Sequence, residues 1–385
     1  MEKPVQILLV FLAFHLLGAA SNEAVLALST AQFHGKSTPI TPKPGSNMRV
    51  RQNQALEEMN TLRFFPNQTD NNCYIIPLKF PGYNYIVRAG FYYGNYDGLS
   101  KPPTFDLKLD RENWTTVNTS SSVDGGLPIY HEAIYLTRSG NLTVCLVQTR
   151  DGEVPFISSL EGVPITNLYE EVLDTTTATL HLVARTNFGG SEVIRFPDDS
   201  YNRVWTRGAI PPNCHANVSI PIGYSIDIEN APPISMLLNY IESVNVSYPI
   251  TLDVNLPLQY STPLPAYFVF YFADLASTRV QGDIRTMKIY INGQEKTTIT
   301  LQVESLKGIA IYPMDVMGST INITLIPTNQ STLPPMINGM EIFTRHDLTA
   351  QLTPPMGPYP NDISKCLPSL LVIVIHTIYF VALFI

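Results

Sequence analysis

Tyr267-Phe-Val-Phe-Tyr-Phe272 lines up with Tyr85-Ile-Val-Arg-Ala-Gly90 at an offset of 182 residues, and Met287–Asn292 lines up with Phe105–Asp110 at the same offset. Asn141–Val144 meets Asn322–Leu325 at 181, and Ile157–Glu161 meets Ile337–Glu341 at 180. Unrelated β segments share alternation, but not four anchors at a nearly constant offset. The chain therefore reads as two tandem copies of one unit. Each copy is built of strands. Tyr85, Val87, Ala89 and Phe91 alternate with Arg88 and Tyr92, and Phe105, Leu107 and Leu109 alternate with Asp106, Lys108 and Asp110. A period of two is that of a half-buried strand, whose successive side chains point to opposite faces.

Composition agrees with an all-β reading. The 31 Pro, 22 Gly, 20 Tyr and 17 Phe, with 15% charged residues, suit short strands joined by turns rather than helical bundles. A net charge of −8 provides no basic face for nucleic acid. The first unit is expected over 61–167, opening at Leu62-Arg-Phe-Phe-Pro66, and the second over 168–346. A connector, Leu168–Asp174, joins them, and Asn292-Gly293 predicts a type I′ hairpin turn. Residues 21–60 read as irregular linker and residues 347–365, with four prolines, as a stalk.

The termini point to a secretory route. Met1-Glu-Lys3, an apolar run from Val5 to Leu17 and small residues to Ala20 have the order of a signal peptide over 1–20. Cys366–Ile385 holds twenty residues without Asp, Glu, Lys or Arg, enough to span a bilayer or to serve as a lipid-anchor signal. Sequons stand at Asn67, Asn113, Asn118, Asn141, Asn217, Asn245, Asn322 and Asn329, which predicts a glycoprotein. Cys73, Cys145, Cys214 and Cys366 allow three pairings if all are oxidised. Cys73 with Cys145 is preferred, because both fall in the first copy. Their spacing does not resemble a zinc site, and no metal or cofactor is expected.

Several segments carry a family resemblance: Leu62–Pro66, Asn72-Cys-Tyr74, Phe91-Tyr-Tyr-Gly-Asn-Tyr-Asp97, Phe105–Leu109, Val144–Val147, Pro155–Glu161, Arg195–Trp205 and Asn338–Phe343. In this order they resemble the malectin-like extracellular region of plant receptor-like kinases, especially those that continue into leucine-rich repeats. The resemblance implies two tandem malectin-like β-sandwiches and a membrane-attached recognition module with no kinase of its own. Its partners would be a carbohydrate such as a cell-wall glycan, a peptide, or the ectodomains of receptor-like kinases. By likeness to animal malectin the contacts would be Tyr92, Tyr93, Asn95, Tyr96 and Asp97 in the first unit, with Phe272 and Asp274 in the second. Aromatic faces cover the C–H face of a sugar and carboxylates accept from its hydroxyls. Tyr and Phe at alternate positions are equally the mark of core and cross-strand packing. One departure stands out: the family's opening strand ends in Asp-Cys-Gly, and residues 21–60 contain no such sequence. Two explanations are equally good: the first sandwich lacks an edge strand, or the sequence is an incomplete version of a longer one.

The alternative class is a secreted glycoside hydrolase acting on wall polysaccharide, which needs two carboxylates facing one cleft. Glu161 and Glu341, at equivalent ends of the two copies, are the best pair for it. Repetition in both copies favours a structural role instead. No Gly-x-Ser-x-Gly or His-Glu-x-x-His occurs, and no catalytic residue is assigned.

Overall fold

The computed structural model describes the strand residues 32–34 and 38–40 and then residues 57–347, apart from 67–71, 79, 81, 111, 123–125, 137–139, 174–177, 220–227, 276–279, 281 and 303. The expected leader, Asn67, the stalk, Cys366 and the C-terminal apolar run lie outside the described residues. Among the described residues no helix is long and apolar enough to cross a membrane.

The first half contains β1 (Gln32–His34), β2 (Thr38–Ile40), β3 (Leu62–Phe64), β4 (Cys73–Pro77), β5 (Asn84–Phe91) and β6 (Thr104–Leu109). It continues with β7 (Glu112–Asn118), β8 (Ile129–Leu136), β9 (Asn141–Gln148), β10 (Phe156–Ile157) and β11 (Ser159–Ile165). The second half contains β12 (Ala178–Asn187), β13 (Thr206–Arg207), β14 (Cys214–Val218), a single helical turn α1 (Ile234–Leu237), β15 (Asn239–Ser243) and β16 (Ile250–Asp274). After these come β17 (Arg285–Ile291), β18 (Gln294–Leu301), β19 (Ser305–Pro327), β20 (Met336–Ile337) and β21 (Gly339–Asp347). The two halves share a pairing pattern. β10 pairs with β3 as β20 pairs with β15, and β11 pairs with β5 as β21 pairs with the second part of β16.

One sheet runs through both halves in the order β11-β5-β8-β12-β21-β16-β19-β17-β18, with β13 beside β12. The halves meet where β8 pairs antiparallel with β12, Leu180 opposite Ile134 and His181 opposite Ala133. Against β5 and β8 packs a five-stranded sheet, β1-β4-β9-β6-β7, so β1, pairing with β4, supplies the edge strand expected to be missing, and with β2 beside β3 it corrects the reading of residues 21–60 as irregular linker throughout. Tyr85, Val87, Ala89 and Phe91 meet Phe105, Leu107, Leu142 and Val144 in the first sandwich interior. The second interior joins Ile250, Leu252 and Val254 to Phe268, Phe270, Phe272, Ile289 and Ile323.

The opposite face of the shared sheet is also covered. Ile86, Ile134, Leu180, Tyr267, Val269 and Tyr271 lie beneath Leu168, Tyr169, Ile194, Trp205 and Leu237 from the connecting segments. The alternation in β5 therefore does not mark a half-buried strand, since everything from Tyr85 to Phe91 is buried. Arg88 points away from the sandwich interior, yet into a second buried layer instead of water.

Local chemistry behaves as the residue types dictate. Asn292 (φ 49°) and Gly293 (φ 76°) turn β17 into β18, both in the left-handed region that the I′ turn needs. Cys73 and Cys145 face each other across β4 and β9 and form a disulfide. Cys214 carries a free, half-buried thiol whose pKa burial pushes up to about 11.

Candidate functional site

The loop between β5 and β6 leaves the first sandwich together with two neighbours. Gly94 N–H donates to the Ser122 carbonyl at 2.9 Å and Tyr93 N–H to Ser122 Oγ at 3.1 Å. Thr119 Oγ1 donates to the Pro103 carbonyl at 2.7 Å, and Thr104 N–H to Glu153 Oε2 at 2.7 Å. Segments 92–103, 119–122 and 149–155 thus form one braced end of the sandwich.

Within that end the tyrosines are not displayed. Tyr92, Tyr93 and Tyr96 are all buried, Tyr93 at 0% exposure, and Phe272 of the second unit is core as well. Tyr93 and Tyr96 stack edge to face at 5.5 Å, and both lie against Phe156. Burial, with the Asp97 charge beside it, holds the Tyr96 hydroxyl well above its ordinary pKa. The expectation of exposed aromatics in this loop is thus corrected, because closing the end of the sandwich removes more apolar area from water than display would. The same packing answers the period-two ambiguity in favour of core.

The polar members of the loop are half-buried and used locally. Asp97 Oδ1 accepts from Tyr93 Oη at 2.6 Å and from Leu99 N–H at 3.0 Å. Asn95 Oδ1 accepts from Ser100 N–H at 2.8 Å. Asn95, at φ 53°, and Asp97 shape the turn and hold its tip outward. That tip, Gly98–Lys101, is open to solvent, with Leu99 at 70% exposure. Leu127, two residues before Ile129, which pairs with Phe91, is at the same end of the sheet and 78% exposed, and Arg150–Gly152 of the braced end are exposed as well. This exposed rim carries two apolar side chains, Leu99 and Leu127, among the charged Lys101, Arg150 and Asp151, at the end closed by the packed aromatics.

In the second unit Asp274 is buried and pairs with Arg285, Oδ2 to Nε at 3.1 Å, and Arg285 also reaches Glu242 at 2.7 Å. Burial raises the Asp274 pKa, against the opposing pull of Arg285. The glutamates of the hydrolase alternative are similarly committed. Glu341, at 0% exposure, accepts from Arg185 Nε at 2.5 Å, Tyr169 Oη at 2.7 Å and Tyr271 Oη at 2.7 Å. Glu161 accepts from Arg88 Nη1 at 2.9 Å and Asn202 Nδ2 at 3.2 Å. Carboxylates held in this way are committed to arginines.

These contacts belong to a feature that the sequence reading missed. Glu161, Arg88 and Glu132 are opposite one another on β11, β5 and β8, and Arg185 is opposite Glu341 on β12 and β21. Arg185 Nη2 reaches Glu132 at 2.8 Å across the junction of the halves. A row of alternating charge thus crosses five strands. Burial opposes the Glu132 charge, but Arg185 and Arg88 outweigh it and bring its pKa down to about 2. Arg185 is held above its ordinary range, since Glu132, Tyr169 and Glu341 overcome the effect of burial. Arg203, Asp199 and Trp205 cap the row from above, Arg203 Nε pairing with Asp199 Oδ2 at 2.9 Å and Trp205 Nε1 donating to the same oxygen at 2.8 Å. Asp199 sits in a turn as its Pro-Asp-Asp context suggests, yet it is buried. The available signal was a lone charge inside an apolar strand, as in Ile86-Val-Arg88-Ala and Met340-Glu341-Ile-Phe.

Of the sequon asparagines, Asn113, Asn118, Asn141, Asn245 and Asn329 are exposed, whereas Asn217 and Asn322 are half-buried. Asn322 Nδ2 donates to Asp253 Oδ1 at 2.9 Å.

A family model described as the malectin-like domain matches residues 32–345. The chain is 33% identical over 298 residues to the Arabidopsis thaliana leucine-rich repeat receptor-like serine/threonine-protein kinase At2g14510, covering 76% of this chain and 33% of that protein. It is 34% identical over 290 residues to the probable LRR receptor-like serine/threonine-protein kinase At1g07550 of the same plant, covering 74% and 32%. The chain thus spans about a third of the length of these relatives. Among solved structures it is similar to the plant receptor-like kinase FER, with TM-score 0.60, 18% identity and 82% and 89% of the two chains covered. It is equally similar to a chain from the complex of the plant peptide RALF23 with FER and LLG2, with TM-score 0.60, 17% identity and 86% and 94% covered. The ANXUR1 extracellular domain from Arabidopsis thaliana gives TM-score 0.60, 18% identity and 82% and 90% covered. At these identities the structural likeness concerns the fold.

Proposed function

The chain belongs to the malectin-like family, and on that premise we propose that it is an extracellular recognition module for a peptide or a receptor-kinase ectodomain, engaged through the loop end of the first sandwich. The observation that carries this reading is a pair of exposed leucines, Leu99 and Leu127, set among charged side chains at the end of the sandwich that the packed aromatics close. Side chains presented on a pre-ordered end lose little freedom on binding. A neighbouring fold solved in a complex with a plant peptide supports the class of partner. The module acts by binding and not by catalysis, in keeping with the arginine-bound state of Glu161 and Glu341.

A glycan is the second ligand class, and it would meet Asn95 and Asp97 only by replacing hydrogen bonds that they make within the loop. Stacking on Tyr92, Tyr93 or Tyr96 would require the loop to open.

The same reading takes residues 1–20 as a leader, the sequons as glycan carriers and residues 366–385 as the membrane attachment. Glycosidase treatment should lower the apparent mass of the secreted protein, and expression ending at Lys365 should release it into the medium. An unchanged mass, or retention in membranes, argues against these assignments. The test of recognition is capture of receptor ectodomains and secreted peptides, and binding to a glycan array, by the full chain and by a Leu99→Asp/Leu127→Asp variant. Loss of capture at an unchanged melting temperature is expected. Unchanged capture would remove the rim from the site.

A further inference from the structure

The shared sheet ends at β11. Among the described residues β11 has β5 on one side and no strand on the other. Its counterpart in the second half, β21, lies between β16 and β12. At the offset of 180, Glu161 corresponds to Glu341 and Gly162 to Ile342. Burial follows this difference: Gly339–Thr344 is wholly buried, whereas Ser159–Pro164 is half-exposed throughout. A Cβ placed on Gly162 would meet nothing within 4 Å. One half therefore contains a strand position that the other leaves open.

The charge row gives that position a chemical preference. Glu132 lies between Arg88 and Arg185, and Glu341 between Arg185 and Arg203, the latter at 3.8 Å. Glu161 pairs with the Arg88 guanidinium and accepts from Asn202, and its side chain is 14% exposed. From β21 outward to β11 the row reads minus, plus, minus, plus, minus, and the next strand would continue it with a cation. In the second half that residue exists: β12 places Arg185 opposite Glu341.

The geometry points to the open edge of β11 as a docking site for an extended, cationic segment of a partner protein, added antiparallel as an extra strand with an arginine or lysine opposite Glu161. Main-chain hydrogen bonds to an exposed edge supply affinity, and alternate side chains supply register. This surface is separate from the loop rim, so the two readings succeed or fail independently.

The probe is a synthetic peptide with the sequence of residues 178–188, Ala-Thr-Leu-His-Leu-Val-Ala-Arg-Thr-Asn-Phe, which already fills the equivalent position in the second half. Binding to the full chain is measured beside a peptide with Gln for Arg and one with Pro at both His181 and Leu182, consecutive residues that are in register with β21 in the second half. The Gln peptide should bind about tenfold more weakly to the wild type, as expected for losing a charge-assisted contact. On an Glu161→Gln variant that melts normally, the two should differ by less than about twofold. The Pro peptide should not bind, because one of two consecutive strand amides faces the ladder and Pro at both removes it. The proposal is overturned if none of the peptides binds, or if the Arg preference survives in Glu161→Gln. It is equally overturned if the amides of Gly162 and Val163 are already protected from exchange in the full chain alone, since the edge is then filled by the chain itself or by a second copy.

Discussion

Tyr93 and Glu132 illustrate what a single residue does in this molecule. Tyr93 packs against Tyr96 and Phe156, and its hydroxyl anchors the Asp97 turn. Tyr93→Ala should therefore cost about 3–5 kcal/mol of stability, the usual loss for a buried aromatic, and a denaturant melt reads it directly. Leu99→Ala at the exposed tip should leave the melt unchanged. Glu132 bridges Arg88 and Arg185, so Glu132→Gln leaves two buried guanidiniums short of a counter-charge and should cost about 3–5 kcal/mol. Its folded pKa lies below its ordinary value of 4.5, so its contribution is complete above that pH and fades as pH falls towards 2. Histidines govern the milder range. His131 is held at about 4 by burial, and His181, stacked on His346 at 4.0 Å, is lowered by burial and by its neighbours. The unfolded chain takes up these protons near 6.5 while the folded one refuses them, so stability should drop as pH falls from 6.5 towards 4. His131→Phe should flatten this slope by about 1.4 kcal/mol per pH unit, measured by melts between pH 7.5 and 5.

Strands and turns were the most legible level, and their environment the least. Period two located β5, β6 and the hairpin of β17 and β18, because backbone geometry alone imposes it. It did not show whether the outward face of β5 meets water or another layer, since that depends on the connecting segments around Tyr169 and Trp205. Hence Arg88 looked like a surface residue. The disulfide partners were legible from membership of one copy, whereas the charge row was not, its members being far apart along the chain. Close approach between elements is also invisible in sequence. Gly189, at φ 78°, follows β12, and a Cβ there would stand 2.3 Å from the Tyr240 carbonyl oxygen on β15. Gly152 has the same φ with nothing within 4 Å. Gly189→Ala should therefore lower the melting temperature substantially, and Gly152→Ala should cost only the strain of a left-handed residue, about 1 kcal/mol.

At the scale of the whole molecule, duplication made two copies and the shared sheet made them one body. β8 and β12 continue a single ladder, and Arg185 of the second copy neutralises Glu132 of the first. Unfolding either copy would strip a partner from a buried charge in the other, so calorimetry should show one cooperative transition across residues 57–347. The rim around Leu99 thus sits on a platform fixed through its core. The most direct test of recognition at that rim is hydrogen exchange of the full chain with and without a captured receptor ectodomain or peptide. Protection confined to segments 94–101, 126–129 and 149–153 is the expected result. Protection elsewhere on the surface, with these three segments exchanging as in the free protein, would contradict it.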